Sequence, residues 1–391
     1  MQILIAFTLI LFVMAVGDVV SIKTKAYIPS VFVSAIIFMI GFWTVFPKNL
    51  MELGGFSSTL IKLSIYLILV HMGTLMSLKE LLAQWKVVVV ALFGIIGVVF
   101  MSLTAGILLF GKELVIVATP PLTGGIVASF MMSEAAASRN LQSLALLAII
   151  IYIMQGFAGY PLTALMLKRE GEKLLKNYRD KEKSRYSEIQ EKKREIPRKI
   201  IPSLPQKYMT TYVLLTKTGI VALLSVGFAQ LTNEFISKYV ICLIFGVIAS
   251  EIGFLEKKVL NASSSFGFII TVIMSYIFSQ LSKSTPEMLI NLLIPLFGVI
   301  TLGVFGMWIF SSLAGKILGI TKEMAFAVSL TALYGFPPNY ILTEEASKAL
   351  AKNKKEEEYL MEIMLPQMLV GGFTTVTIVS VILAGIFIKF L

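Results

Sequence analysis

One cysteine (Cys242) and one histidine (His71) stand in 391 residues. A lone cysteine closes no disulfide within the chain and builds no thiolate metal cluster, and one histidine leaves a zinc or haem enzyme without its ligands. The phosphate-cradling loop that ends in Gly-Lys-Ser/Thr is missing, so ATP-driven pumping by this chain is not expected. Neither H-E-x-x-H nor G-x-S-x-G occurs, and an enzyme is not expected either. Charge is scarce as well, at 15% of residues, too little to cover a soluble domain of this length.

What fills the chain instead is apolar: 57% of it, with a mean hydropathy of +0.86. Several runs reach the roughly 20 residues that cross a ~30 Å hydrocarbon layer. The first, MQILIAFTLILFVMAVGDVV, lacks the basic start and small-residue cleavage site of a secretory leader, and we read it as a retained helix. Spans are expected near 2–17, 28–46, 59–76, 87–110, 142–167, 213–230, 239–254, 266–282, 288–318 and 363–390.

The formal charge of +11 gathers in one place: 168–212 holds 14 Lys/Arg against 7 Asp/Glu. Mixed charge at helical spacing, followed by Pro197, Pro202 and Pro205, reads as a solvated cytoplasmic linker rather than a nucleic-acid footprint.

Two apolar segments, 114–138 (LVIVATPPLTGGIVASFMMSEAAAS) and 324–347 (MAFAVSLTALYGFPPNYILTEEAS), carry a Pro-Pro pair amid small and polar residues. Tandem prolines remove backbone donors, so each segment is expected to bend back as a re-entrant hairpin, with Pro120-Pro121 and Pro337-Pro338 as its turn. The 217-residue separation of the pairs marks an internal repeat. The expected domains are 1–167, the linker 168–212 and 213–391, each half holding five spans and one hairpin. Five is odd, so the second half inserts upside down. With both termini outside, Lys23, Lys25, Lys79, Lys86, the linker, Lys257, Lys258, Lys316, Lys322, Lys352, Lys354 and Lys355 all face the cytoplasm, which accords with the positive-inside bias. The predicted class is an all-α polytopic membrane protein of two inverted repeats.

Three stretches carry a family resemblance: DVVSIKTKAYIPSVFVSAIIFMIGF (18–42), the Gly-Gly pair at 124–125, and IMLPQMLVGGFTTVTIVSVILAGIFIKF (363–390). In these the chain resembles the bacterial glutamate:sodium symporters and, more distantly, the citrate:sodium symporters. The resemblance implies a bacterial plasma-membrane protein, a homodimer, a glutamate-like carboxylate as substrate and Na⁺ as coupling ion.

Inverted-repeat carriers bind where broken helices expose their ends at mid-depth. Free N–H groups at a half-helix N-terminus suit an anion, and carbonyls and hydroxyls suit a hard cation. The first hairpin offers Thr119, Pro120, Thr123, Gly124, Gly125 and Ser129; the second offers Gly335, Pro337, Asn339, Tyr340 and Thr343. Thr123 and Asn339 are the candidates for Na⁺. The Gly-Gly pair reads equally as a close helix contact. Gln155 and Gln367 lie on the helices after each hairpin, with Thr374 beside the latter; they line the site or bond between helices. His71 is either a proton carrier or a neutral histidine bonded across a helix interface. Glu134 and Arg139 either reach the substrate or sit as interface charges at the hairpin end. The function expected is secondary transport of a small organic anion or amino acid, coupled to Na⁺ or H⁺, by alternating access. A passive channel of the same topology is the alternative, and a membrane-embedded enzyme a more distant one. No bound cofactor and no nucleic-acid partner are expected; the partners are the solute, the coupling cation and the bilayer.

Overall fold

The computed structural model describes residues 1–75, 84–124, 126–185, 201–202, 205–231 and 238–391. Among these the chain is all-α, with no strand. Six helices are long and apolar enough to cross a membrane: Gln2–Lys23, Trp85–Phe110, Gln142–Asp180, Thr211–Leu231, Phe266–Lys283 and Leu292–Leu318. The chain is a polytopic membrane protein.

In order, α1 is Gln2–Lys23, α2 Ser30–Thr44, α3 Leu50–Leu53 and α4 Ser58–Gly73. Next come α5 (Trp85–Met101, extended by a π-helical turn Ser102–Gly106 to Phe110), α6 (Lys112–Leu122), α7 (Ile126–Ala137) and α8 (Gln142–Arg185). The remainder holds α9 (Thr211–Leu231), α10 (Lys238–Glu251), α11 (Val259–Ala262), α12 (Phe266–Ser279), α13 (Pro286–Leu318), α14 (Lys322–Leu330) and α15 (Pro338–Leu350). The last helix, α16 (Lys354–Thr374), passes through a π-helical turn, Thr375–Val379, into α17 (Ser380–Phe387). Starts at 2, 30, 50, 58, 112, 126 and 142 are thus followed by starts at 211, 238, 259, 266, 322, 338 and 354, a spacing of 208–212, while the remaining pair, α5 at 85 and α13 at 286, is 201 apart.

Two compact units divide the chain, and neither is a sequence half. The smaller comprises Met1–Phe7, Met51–Ala83 and Asp180–Ile277. In it α4 crosses α10 closely, because Gly73 and Gly246 leave backbone against backbone: a Cβ on Gly246 would lie 2.2 Å from the Val70 carbonyl oxygen. Lys217 pairs with Glu256 at 2.7 Å, so this buried lysine is neutralised locally instead of reaching for headgroups.

The larger unit, Thr8–Leu50, Gln84–Arg179 and Phe278–Leu391, holds both broken segments. Its central crossing joins α5 to α13 through Gly97 and Gly306. A Cβ on Gly97 would stand 2.2 Å from the Gly306 oxygen, and one on Gly306 would stand 2.1 Å from the Gly97 oxygen. Membrane helices gain little from apolar burial, since lipid is as apolar as leucine, so close approach through small residues is what holds such a pair.

Helix α8 runs without interruption through 168 to Arg185, and its charged stretch as far as Arg179 is paired within the larger unit. Lys173 pairs with Glu323 at 2.5 Å, the Thr321 hydroxyl donates to Glu170 at 2.6 Å, and Arg179 grips Glu356 through Nε and Nη2 at 2.8 and 2.7 Å.

Candidate functional site

Both broken segments lie in the larger unit, and each is helix–break–helix. Helix α6 ends at Leu122, Thr123 and Gly124 turn away from it, and α7 starts at Ile126; α14 passes through a 3₁₀ turn (Thr331–Leu333) and a cis Phe336–Pro337 peptide before α15. The proline pairs sit differently in the two breaks: Pro337 lies in the second break, but Pro120-Pro121 precede the first. Pro120 and Pro121 sit inside the last turn of α6, and Pro338 opens α15 at a position where no helix donor is needed. The residues that turn the chain are Gly124 (φ +108) and Gly335 (φ +66), in backbone conformations that an L side chain resists.

Depth follows from the neighbours. Gly159 of α8 packs under Tyr334 and Leu333 at the second break, whereas Gly171 of the same helix meets Leu350 at the end of α15, and Glu170 meets Thr321 just before α14. Both ends of the second segment therefore lie level with 170–171, and the break lies twelve residues away, about 18 Å at 1.5 Å per residue. On the last helix, Val376 touches Gly124, and the Ile388 carbonyl accepts from Arg139 just beyond α7, again twelve residues along. Val376 also touches Gly335, and a Cβ on Gly124 would lie 2.7 Å from the Ala332 oxygen. The two breaks thus meet each other beside the π-helical turn Thr375–Val379, having entered from opposite ends of the last helix.

At this junction the candidate residues are buried. Thr119, Thr123, Asn339 and Thr343 are fully buried, as are Pro120 and Pro337, with Gly124, Gly335 and Tyr340 closed in around them. The hydroxyls of Thr119, Thr123, Thr343 and Thr374 donate to their own helices, at Val115, Pro120, Asn339 and Val370. Their lone pairs are left to accept from a ligand or to ligate a cation. Asn339 ties the start of α15 to α16: its Nδ2 donates to the Met368 carbonyl at 2.9 Å, and its Oδ1 accepts from the Tyr340 N–H at 2.8 Å. Gln155 is 1% exposed, and its Oε1 has no partner among the described residues. A buried amide oxygen without a donor costs about 1–3 kcal/mol, the mark of a group kept for something else. Gly125 lies outside the described residues.

Other candidates stand away from the junction. Ser129 is buried but donates to the Ala148 carbonyl, tying α7 to α8. Gln367 is half-buried and bonds back to Ile363. Arg139 and Glu134 are exposed, ten or more residues beyond Gly124, and the Arg139 guanidinium donates to the Ile388 carbonyl at 3.3 Å. His71 belongs to the smaller unit. Its Nδ1 accepts from the Leu260 N–H at 3.1 Å, while Thr74 Oγ1 accepts from the Val259 N–H at 3.4 Å, so the two side chains cap α11. Nδ1 is unprotonated in this arrangement, the neutral histidine bonded between helices that was the alternative to a proton carrier.

Three features of the junction escaped the sequence reading: the Tyr334 hydroxyl, which donates to Thr163 at 2.7 Å; the π-helical turn around Val376; and the Ala332 carbonyl. A signal for the first two was present. At a spacing of 212, Gln155, Gly159 and Thr163 align with Gln367, Gly371 and Thr375, a register hidden by the 217 of the prolines.

Each break sets the C-terminus of one helix beside the N-terminus of the next, so carbonyl ends (α6, α14) and N–H ends (α7, α15) converge in one buried place. Partial charges of both signs are available there without a formal charge among the described candidates. No group of three or more acidic, histidine or cysteine side chains suited to a metal ion occurs among the described residues. No family model matches the chain, and no curated protein matches it.

Proposed function

We propose that this protein is a secondary transporter that moves a small organic anion or amino acid by alternating access, coupled to Na⁺ or H⁺. One observation carries the reading: two broken helices entering from opposite ends meet at Gly124, Gly335 and Val376. Broken helices at mid-depth are tolerated in a membrane where protein buries them or where they line a solute path. Their half-helix N-termini suit a carboxylate, and their carbonyl ends, with Thr123 and the Asn339 side chain, suit a desolvated cation.

On this reading the chain is two inverted repeats of five spans and one re-entrant hairpin. The 208–212 spacing of seven of the eight pairs of element starts and the reciprocal Gly97–Gly306 contact support it. The reading also places the protein in a bacterial plasma membrane with both termini outside, as a homodimer related to the glutamate:sodium symporters.

The test is reconstitution of the full chain into vesicles, with uptake of labelled glutamate, citrate and a panel of other carboxylates and amino acids under inward Na⁺ or H⁺ gradients. One of these solutes accumulates against its gradient, and Thr123→Val and Asn339→Ala both slow its uptake. Uptake that ignores both ion gradients, or that never exceeds equilibration, removes the carrier and leaves a passive pore.

A further inference from the structure

In the larger unit α8, α13 and α14 enclose a cavity of about 600 Å³ that is separate from the junction of the breaks. Its walls include Met154, Phe157 and Ala158 from α8, Thr301 and Trp308 from α13, and Phe326 from α14. Only Thr301 and Trp308 among all its lining residues bring a polar side-chain atom, and none brings a charge. The cavity opens outward past Phe297, Phe305 and Trp308, which are 61, 46 and 49% exposed. That mouth is continuous with Ile290, Leu293 and Ile294 on the same helix, all exposed.

Position decides what can enter. Helix α13 carries charge at Glu287 and Lys316, and Thr301 lies about midway, some 21–23 Å of helix from either. Half the hydrocarbon layer is only about 15 Å, so the cavity opens to the acyl-chain interior, beyond the reach of headgroups. An ionic solute would find no partner on these walls and would lose its hydration for nothing. An empty cleft forfeits the dispersion contacts of its lining atoms. The occupant that meets the depth, the apolar walls and the lateral opening together is a hydrocarbon chain.

We propose that this cavity seats one acyl chain of a membrane phospholipid as a fixed site, distinct from the passing lipid around the protein. Two of its walls also hold the second break. Ala158 adjoins Gly159, which packs under Tyr334, and Phe326 lies on α14, which leads into Thr331–Leu333. The seated chain therefore sets the spacing of α8 and α14 behind the break. The site stands whether or not the chain is a transporter, and its test needs no uptake.

The chain has three tryptophans, so Trp43→Phe with Trp85→Phe leaves Trp308, in the cavity wall, as the reporter. This protein is reconstituted in phosphatidylcholine of which a rising share carries bromine at mid-chain. Bromine quenches Trp308, and Ala158→Phe, which fills the cavity from α8, roughly halves that quenching by excluding the chain. Thr301→Phe does the same from the opposite wall, and Thr301→Val, alike in volume, leaves it unchanged. Should the reporter background fold poorly, mass spectrometry of the tryptophan-intact protein reads the same site: the wild type keeps about one more phospholipid per chain than Ala158→Phe. Quenching and lipid retention that both cavity-filling variants leave untouched, at wild-type unfolding temperature, overturn the proposal. So does a Trp308 shielded from bromolipid by a second copy, seen as a Phe297→Cys cross-link between copies.

Discussion

Replacing Gly124 by alanine tests the junction of the two breaks most directly. The added Cβ lies 2.7 Å from the Ala332 oxygen and 3.1–3.2 Å from Val376, and no flexible side-chain end stands there to yield. To restore ordinary contact one break must retreat by several tenths of an ångström. At φ +108 the side chain also strains its own backbone, by about 1–2 kcal/mol. Overpacking of this kind costs about 1–3 kcal/mol, so the sum is about 2–5 kcal/mol. The control is Gly385→Ala on α17: its Cβ meets nothing within 4 Å, and alanine in a helix stabilises by about 0.5–1 kcal/mol over glycine. Thermal unfolding of purified protein in detergent, followed by tryptophan fluorescence, should separate the two variants by roughly 5 °C or more. The Gly124 variant should also lose most uptake once a solute is known. Equal unfolding temperatures for the two variants would refute the contact between the breaks.

Three further outcomes follow from the same geometry. The Arg179 guanidinium holds the Glu356 carboxyl down at about 2 against its usual 4.5, so its stabilisation is complete above pH 4.5 and is lost as pH falls toward 2; Glu356→Gln should cost about 1–2 kcal/mol at neutral pH and nothing near pH 2, measured by unfolding temperature across pH. Gly306→Ala should lower the unfolding temperature by the equivalent of about 1–3 kcal/mol, whereas Gly227→Ala, whose Cβ meets nothing, should not. His71→Leu should destabilise by about 1–2 kcal/mol through the lost Leu260 acceptor yet leave the pH profile of uptake unchanged; a shifted profile would return a proton role to His71.

The apolar runs disclosed the membrane class and most helices, because a ~20-residue span is a property of local composition. Element ends were less legible. The charge pattern of 168–185 reads as solvated, yet Lys173, Glu170 and Arg179 are spent on tertiary pairs with Glu323, Thr321 and Glu356, and only the fold brings those partners near. Proline marked the two breaks unequally. Pro337 lies in the second break, whereas Pro120 and Pro121 sit in the last turn of α6, where a proline disturbs little, a few residues before the chain turns at Gly124. Positive φ at Gly124 and Gly335 is set by what the chain does next, which no residue type announces. Thr123 and Asn339 were legible as polar groups in an apolar setting. The Tyr334–Thr163 bond links residues 171 apart in sequence, and only the 212-residue register that pairs Thr163 with Thr375 pointed toward it.

The Gly97–Gly306 crossing has a mechanical consequence. The residues that share the contact face are three or four positions away: Met101 and Phe310, which already stand 2.9 and 3.0 Å from Cβ positions on Gly306 and Gly97, and, on the other side, Gly94 and Gly303. A slide that brings Met101 or Phe310 to the crossing is therefore obstructed. Changing the angle between α5 and α13 about the glycine contact meets no such side chain, so the crossing is built as a pivot.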